Sequence, residues 1–235
     1  MIKSWIKSRL MYTGSAATDL VRSEIGERRR ADWPYVPPDE GDVLYNFAQR
    51  AQAADALEVG CATGSTAAYI LAGLGDSGEL TSIDFDQANH ERAGEQLVRD
   101  LGFSDRHVLV EKNSDEALPA LYAAGKRFGL VFLDGWKTFD HVWIDVYYSA
   151  RMLEVGSMVV FDDARMPAVR KCISILERYY EFKRVDTYPQ VGGWRQRLWH
   201  ILTTRGFLPP YVALEKLIEV EESPAGKRYD YWARF

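Results

Sequence analysis

The stretch that decides the fold is Leu57-Glu58-Val59-Gly60-Cys61-Ala62-Thr63-Gly64-Ser65. Its first residues are mostly apolar and predict a short buried strand that ends at Val59, and a helix is expected from about Ser65. The two glycines between them lack a Cβ atom, so the backbone can turn sharply and lie close to a ligand. The stretch therefore predicts a strand, a ligand-binding turn and a helix.

Downstream of this turn, short apolar runs alternate with helical segments. Strands are expected at residues 54–59, 80–83, 107–110, 130–133 and 158–161, and helices at 65–74, 88–101, 115–124, 139–153 and 168–180. Strands that alternate with helices indicate βαβ units and a mostly parallel sheet covered on both faces. Two more strands are expected at residues 182–187 and 211–218. The pattern predicts an α/β fold with a doubly wound, seven-stranded, mostly parallel sheet of the Rossmann-like type.

The rest of the chain is expected to flank this sheet. Residues 1–50 are predicted to form an N-terminal helical extension, interrupted by Pro34, Pro37 and Pro38, and residues 51–235 the main domain. Residues 189–210 are too long for a tight hairpin and are rich in aromatic side chains, which predicts a cap over a pocket. An amphipathic helix over residues 1–11 is expected to pack on the body or on a second subunit, so a homodimer is possible.

Composition excludes several classes of protein. The net charge of the 235-residue chain is −5, without the basic surplus of a duplex-binding protein, so we expect no nucleic-acid partner. No apolar run approaches the length of about 18 residues that a membrane-spanning helix needs, so no membrane span is expected. The two cysteines do not make a disulfide framework, which suits a cytoplasmic protein. The run Arg28, Arg29 and Arg30 is interpreted as a solvated helix end rather than an anion site.

The spacing of the glycines discriminates between cofactors. The dinucleotide fingerprint is Gly-x-Gly-x-x-Gly, and Ala62 stands in place of its second glycine, which disfavours a nicotinamide dehydrogenase. The pattern Glu-x-Gly-x-x-x-Gly resembles the first motif of the class I S-adenosylmethionine (SAM)-dependent methyltransferases, in which this loop cradles the aminoacyl part of the cofactor. The resemblance implies that SAM is bound by the residues of the turn: Glu58, Gly60, Cys61, Ala62, Gly64 and Ser65.

Two further positions suit the nucleoside of such a cofactor. Asp84 follows the second strand, where an acidic side chain can accept two hydrogen bonds from ribose hydroxyls, and it is preferred to Asp86 because it lies at the strand end. Ser114 and Asp115 follow the third strand, a position that faces the adenine ring in methyltransferases. Either side chain could hydrogen-bond to the exocyclic amine, but Ser114 is equally suited to be a helix N-cap.

Carboxylates follow the fourth and fifth strands. Asp134 ends the fourth, and Asp162 and Asp163 end the fifth, so the three side chains are expected to converge beside the cofactor. Converging carboxylates repel one another unless a positive charge lies between them. Because hard divalent cations such as Mg²⁺ prefer oxygen ligands, the three residues are predicted to form a metal site.

The run Leu133-Asp134-x-Trp136-Lys137, followed by the acidic pair, is similar to the catechol O-methyltransferase family. That family places Asp and then Asp-Asn on the metal and uses the lysine as the base. The resemblance implies that Asp134 also lies beside SAM and that Lys137 accepts a proton. Alternatives remain open at three positions: His141 is a rival base, Lys137 could be a surface residue, and Asp163 could be a helix N-cap. The chain departs from the family at Asp163, which replaces Asn, and at Gly135, which replaces His.

These features together predict metal-assisted transfer of a methyl group from SAM to a hydroxyl of a small-molecule acceptor, aromatic or partly apolar. One alternative is a metal-independent methyltransferase acting on oxygen, nitrogen or carbon. Another is a protein of the same fold that binds a nucleoside without transferring a group. The identity of the acceptor does not follow from the sequence.

Overall fold

The computed structural model describes residues 15–51, 55–185 and 211–220. In this part of the chain, seven strands form one sheet in the order β3-β2-β1-β4-β5-β7-β6. The strands are β1 (Ala56–Val59), β2 (Leu80–Ile83), β3 (His107–Val110), β4 (Phe128–Leu133), β5 (Leu153–Phe161), β6 (Phe182–Val185) and β7 (Val212–Lys216). Strands β1 to β5 pair in parallel, and β7 is antiparallel to both β5 and β6. The predicted seven-stranded, mostly parallel sheet is confirmed.

Helices cover both faces of the sheet. They are α1 (Ala16–Arg28), α2 (Pro38–Ala51), α3 (Ser65–Gly73), α4 (Ala93–Asp100), α5 (Ser114–Ala123), α6 (Phe139–Met152) and α7 (Pro167–Tyr179). One apolar core includes Leu44 and Ile70 of α2 and α3, and the other includes Val146 and Ile173 of α6 and α7. Successive residues of β5 contribute alternately to the two cores, as expected for a strand buried on both faces.

Several element boundaries differ from the predicted ones. The helix predicted over residues 88–101 is instead a 3₁₀ turn (Gln87–His90) followed by α4, because Glu91 and Arg92 adopt the left-handed conformation with φ of 51° and 56°. Helix α2 begins at Pro38, one of the prolines expected to interrupt the helical extension, since proline is tolerated in the first turn of a helix. Strands β4 and β5 also begin earlier than predicted.

The N-terminal extension is helical where it is described. Helix α1 begins with a capping box between Ser15 and Thr18, and Arg22 pairs with Asp42 of α2. The predicted helix over residues 1–11 and the predicted cap over residues 189–210 lie outside the described residues. Among the helices that are described, none is both long and apolar enough to cross a membrane.

Candidate active site

A cavity of about 740 Å³ opens at the carboxyl ends of β1, β2 and β4. This is the edge at which open α/β sheets bind their ligands. Most residues that the sequence singled out line it: Gly60, Cys61, Ala62, Ser65, Asp84, Ser114, Asp115, Asp134, His141 and Asp162. Glu58, Gly64, Lys137 and Asp163 do not line this cavity.

The turn between β1 and α3 forms one wall of the cavity and requires its glycines. Gly60 and Gly64 have φ of 91° and 74°, in the left-handed region that favours glycine. A Cβ atom on Gly60 would lie 2.4 Å from the carbonyl oxygen of Asp134, and one on Gly64 would lie 2.6 Å from Cα of Gly94. The turn is therefore packed directly against the turn that follows β4 (the β4 turn) and against helix α4. This packing leaves no room for a side chain at position 60 or 64.

Asp84 supports this turn as well as lining the cavity. Its Oδ2 atom accepts hydrogen bonds from the backbone N–H groups of Cys61, at 2.9 Å, and Ala62, at 2.7 Å. Its Oδ1 atom accepts one from the N–H of Asp86, at 2.8 Å. The carboxylate thus holds the turn in place from the side of β2 and is anchored at the position where a ribose is expected.

Glu58 lies behind the turn. Its side chain is completely buried, and its carboxyl oxygens accept hydrogen bonds from the hydroxyls of Thr66 and Ser82, the latter at 2.6 Å. Burial raises the pKa of Glu58 to about 7, although these two hydroxyls favour its charged form. Glu58 thus supports the turn between β1 and α3 from behind. The resemblance had implied a direct contact between Glu58 and SAM, but the buried side chain does not line the cavity.

Glu58 makes the stability of the protein depend on pH. Because its pKa is raised on folding from an ordinary value of 4.5, the folded state loses stability as pH rises from about 4.5 to 7. In Glu58→Gln this contribution is absent, so the unfolding free energy of the variant relative to wild type should rise by about 2 kcal/mol between pH 5 and pH 8. Thermal unfolding across this range measures it. Glu79→Gln, at an exposed position, should show no such trend.

The cavity wall also contains two aromatic residues to which the sequence analysis gave no role. Phe85 and Trp136 both line the cavity, with ring centroids 6.1 Å apart, and about half of each side chain is exposed. The sequence signal for them was an aromatic residue one or two positions after an aspartate that follows a strand: Phe85 after Asp84, and Trp136 after Asp134.

Helix α5 begins at Ser114 and its N-cap is Asn113, so the N-cap alternative for Ser114 was wrong.

Asp134, Asp162 and Asp163 converge at the carboxyl ends of β4 and β5. One oxygen of each carboxyl lies within 4.8 Å of those of the others. Burial and the neighbouring Asp134 raise the pKa of Asp162 to about 7, and burial also raises that of Asp134. The N-cap alternative for Asp163 was wrong, because α7 begins only at Pro167, with Met166 as its N-cap. Three hard oxygen donors that repel one another fit a divalent cation.

Lys137 is the counter-charge within this acidic trio. Its Nζ atom lies 2.7 Å from Oδ1 of Asp134 and 3.7 Å from Oδ2 of Asp163. Only 18% of its side chain is exposed, so the alternative of a surface lysine was wrong. His141 lines the cavity, and its Nδ1 atom lies 2.8 Å from the hydroxyl oxygen of Thr138. Lys137 is thus in contact with the carboxylates, and His141 shares the cavity with Asp134 and Asp162.

Helix α2 and strand β7 complete the wall beside the acidic trio. Glu40 and Tyr211 line the cavity there, and Tyr211 is almost fully buried. Burial and then Asp162 raise the pKa of Glu40 to about 7. Tyr35 joins them because the Pro34 carbonyl accepts a hydrogen bond from Thr63, which holds this segment over the turn. The sequence reasoning missed these residues, since nothing in the local pattern brings their elements together.

The family model described as Methyltransferase domain matches residues 57–164. A putative O-methyltransferase of Mycobacterium sp. (strain JLS) is 32% identical over 56% of this chain and 58% of its own length. The catechol O-methyltransferase of Mycobacterium tuberculosis is 29% identical over 54% of this chain and 56% of its own. The chain thus matches little more than half the length of these curated relatives.

Solved structures match over a larger share of the chain. Cofactor-bound Rv0187 from MTB has a TM-score of 0.67 at 20% identity and covers 93% of this chain and 97% of its own. The O-methyltransferase TomG from Streptomyces achromogenes, in complex with SAM, has a TM-score of 0.66 at 18% identity, covering 92% and 96%. At these identities the likeness concerns the fold.

Proposed function

We propose that this chain, which has the class I SAM-dependent methyltransferase fold and carries the methyltransferase domain at residues 57–164, methylates a hydroxyl of a small molecule with the help of a divalent cation. The observation that carries the proposal is the meeting of the Gly60 turn, Asp84 and two members of the acidic trio, Asp134 and Asp162, in one cavity, with Asp163 beside them. The cavity is of the size typical for sites that bind a small molecule together with its cofactor.

The residues of the cofactor half have separate tasks. Gly60, Cys61 and Ala62 present backbone to the aminoacyl part of SAM, and Asp84 accepts hydrogen bonds from its ribose. Ser114 and Asp115 face the adenine, and Phe85 and Trp136 supply apolar surface for its ring. Glu58 and Gly64 act indirectly, by holding the turn in shape.

The residues of the acceptor half, which are the acidic trio, Lys137 and His141, would bind the cation and accept a proton. When bound, a cation held by Asp134, Asp162 and Asp163 supplies Lewis acidity, and SAM supplies the methyl group. Lys137 in its neutral amine form, or His141 as the alternative, would accept the proton of the acceptor hydroxyl, and the hydroxyl oxygen would take the methyl group from SAM, which becomes S-adenosylhomocysteine (SAH). The walls of the cavity align the two reactants, which is the larger part of the protein's contribution.

The acceptor proposed is an aromatic or partly apolar hydroxyl compound. Tyr35 and Tyr211 give the acceptor end an aromatic wall beside the carboxylates. Two similar proteins are named a catechol O-methyltransferase and a putative caffeoyl-CoA O-methyltransferase, both of which refer to aromatic acceptors. A metal-independent methyltransferase is the second candidate, because Lys137 already offsets part of the negative charge of the trio.

Calorimetric titration with SAH tests the cofactor half of this proposal. Asp84→Ala removes the ribose acceptor and two of the hydrogen bonds that hold the turn, so affinity should fall about 100-fold. Asp86→Ala is the matched control, because Asp86 also lines the cavity but its carboxylate accepts a hydrogen bond from Asn89, and affinity should change by less than about threefold. Failure of the wild-type protein to bind SAH would refute the proposed function.

A further inference from the structure

Asp145 of α6 is a buried carboxylate that the proposed mechanism does not use. The residue is 2% exposed, on the helix face that also buries Val142 and Val146. Its Oδ1 atom is buried and has no hydrogen-bond partner among the residues that the structure describes. Since a buried carboxyl oxygen without a partner destabilises the folded state, its position behind the active site needs an explanation.

The carboxyl group of Asp145 lies against the back of the turn that follows β4. A Cβ atom on Gly135 would lie 3.0 Å from its Oδ2 atom, and the backbone of Gly135 separates it from the main cavity. Asp145 and Lys137 both line a second, small cavity of about 10 Å³ behind this turn. Burial raises the pKa of Asp145 to about 6, and Ser114, His141 and Lys137 each favour its charged form. The carboxyl group is thus within the electrostatic reach of the Lys137 ammonium group.

Lys137 pairs with one carboxylate and shares the small cavity with another. It pairs at 2.7 Å with Asp134, which is also a proposed ligand of the cation. A cation on the trio repels the ammonium group and competes for the same carboxyl oxygens, so the ion pair of Lys137 with Asp134 is weakened when the cation binds. Asp145, which lines the same small cavity as Lys137 and has a buried oxygen without a described partner, offers a second anionic acceptor.

We propose that Asp145 is a positioning residue for Lys137 and receives its ammonium group when a divalent cation occupies Asp134, Asp162 and Asp163. The proposal rests on the function proposed above. It gives the unpartnered oxygen a partner in the cation-bound state and keeps Lys137 at the edge of the site. It also accounts for Gly135, since any side chain there would meet the Asp145 carboxyl or Val59.

A double-mutant cycle read by Mn²⁺ calorimetry tests this inference without requiring an acceptor. In Asp145→Asn the ammonium group has no second anion and stays on Asp134, so Mn²⁺ affinity should fall about tenfold. In Lys137→Met there is no ammonium group to relocate, so adding Asp145→Asn should change Mn²⁺ affinity by less than about twofold. Ser149→Ala, one turn further along α6, is the matched control and should bind Mn²⁺ like the wild type, since Ser149 is also buried and its hydroxyl has no partner in the described part of the chain.

Three outcomes would overturn the inference: an unchanged affinity in Asp145→Asn, an equal loss of affinity with and without Lys137, and a wild-type protein that binds no Mn²⁺. The second of these would assign Asp145 a merely structural role in the β4 turn. Titration of the same samples with SAH separates this failure from failure of the proposed function. A protein that binds SAH but shows either of the first two outcomes retains its cofactor and cation sites and loses only the role of Asp145. A protein that binds SAH but no Mn²⁺ also loses the cation part of the proposed function.

Discussion

Asp134→Ala is expected to weaken Mn²⁺ binding at least about 100-fold and to lower methyl transfer to a responsive aromatic diol about 1000-fold. The substitution removes the carboxylate that lies both in the acidic trio and against Lys137. It also frees the Lys137 ammonium group to approach the two remaining aspartates, where it competes with the cation. Calorimetry with Mn²⁺ and release of SAH from SAM measure the two effects.

The control for Asp134→Ala is Asp105→Ala, which removes an exposed carboxylate from the turn before β3. The two variants have the same change in net charge, so a general electrostatic effect would appear in both. Mn²⁺ affinity that is equal in wild type and Asp134→Ala would contradict the metal site. Turnover that survives both this substitution and chelation would favour the metal-independent alternative.

Gly60→Ala is expected to abolish measurable SAH binding and to lower the unfolding free energy by about 2–4 kcal/mol. The new Cβ atom would lie 2.4 Å from the carbonyl oxygen of Asp134, at a residue whose φ is 91°. Both the cofactor turn and the β4 turn must shift to relieve this contact. Chemical denaturation and calorimetry with SAH measure the two losses.

Gly125→Ala separates steric conflict from backbone strain. Gly125 has φ of 73°, but a Cβ atom there would have no other atom within 4 Å. Its substitution should therefore cost only about 1 kcal/mol and leave SAH affinity unchanged. Equal effects of the two substitutions would show that the packing of Gly60 against Asp134 contributes neither to stability nor to SAH binding.

The sheet and the cofactor turn were predictable because their signals are local. Each central strand is a short apolar run, and the glycines at 60 and 64 mark the turn without reference to the rest of the chain. The break before α4 was not predictable, since Glu91 and Arg92 have no sequence feature that indicates a left-handed backbone. Here tertiary contacts override local preference, including the ion pair of Glu91 with Arg30.

The candidate site was predictable to the extent that its residues end strands. Asp84, Asp134 and Asp162 each follow a strand directly, and topology alone brings them to one edge of the sheet. Tyr211, which immediately precedes β7, and Glu40 of α2 reach the same cavity from parts of the chain that are distant in sequence and carry no motif. Asp145 offered a weak signal, as an acidic residue within an otherwise apolar helical stripe, but the partner of that carboxyl emerges only from the packing of α6 on the β4 turn.

The contact between the first and fourth strand turns has a consequence for how this protein can diverge. The N–H of Asp134 donates a hydrogen bond to the carbonyl of Val59, and the next residue, Gly60, abuts the Asp134 carbonyl. A substitution in either turn therefore disturbs the packing of the other, so few substitutions are tolerated in either turn. Under the proposed function, acceptor preference can diversify on the wall that contains Glu40 and Tyr211, because this wall lies outside the two turns. Descendants of this sequence can acquire new acceptors while inheriting the glycine and the aspartate as a single unit.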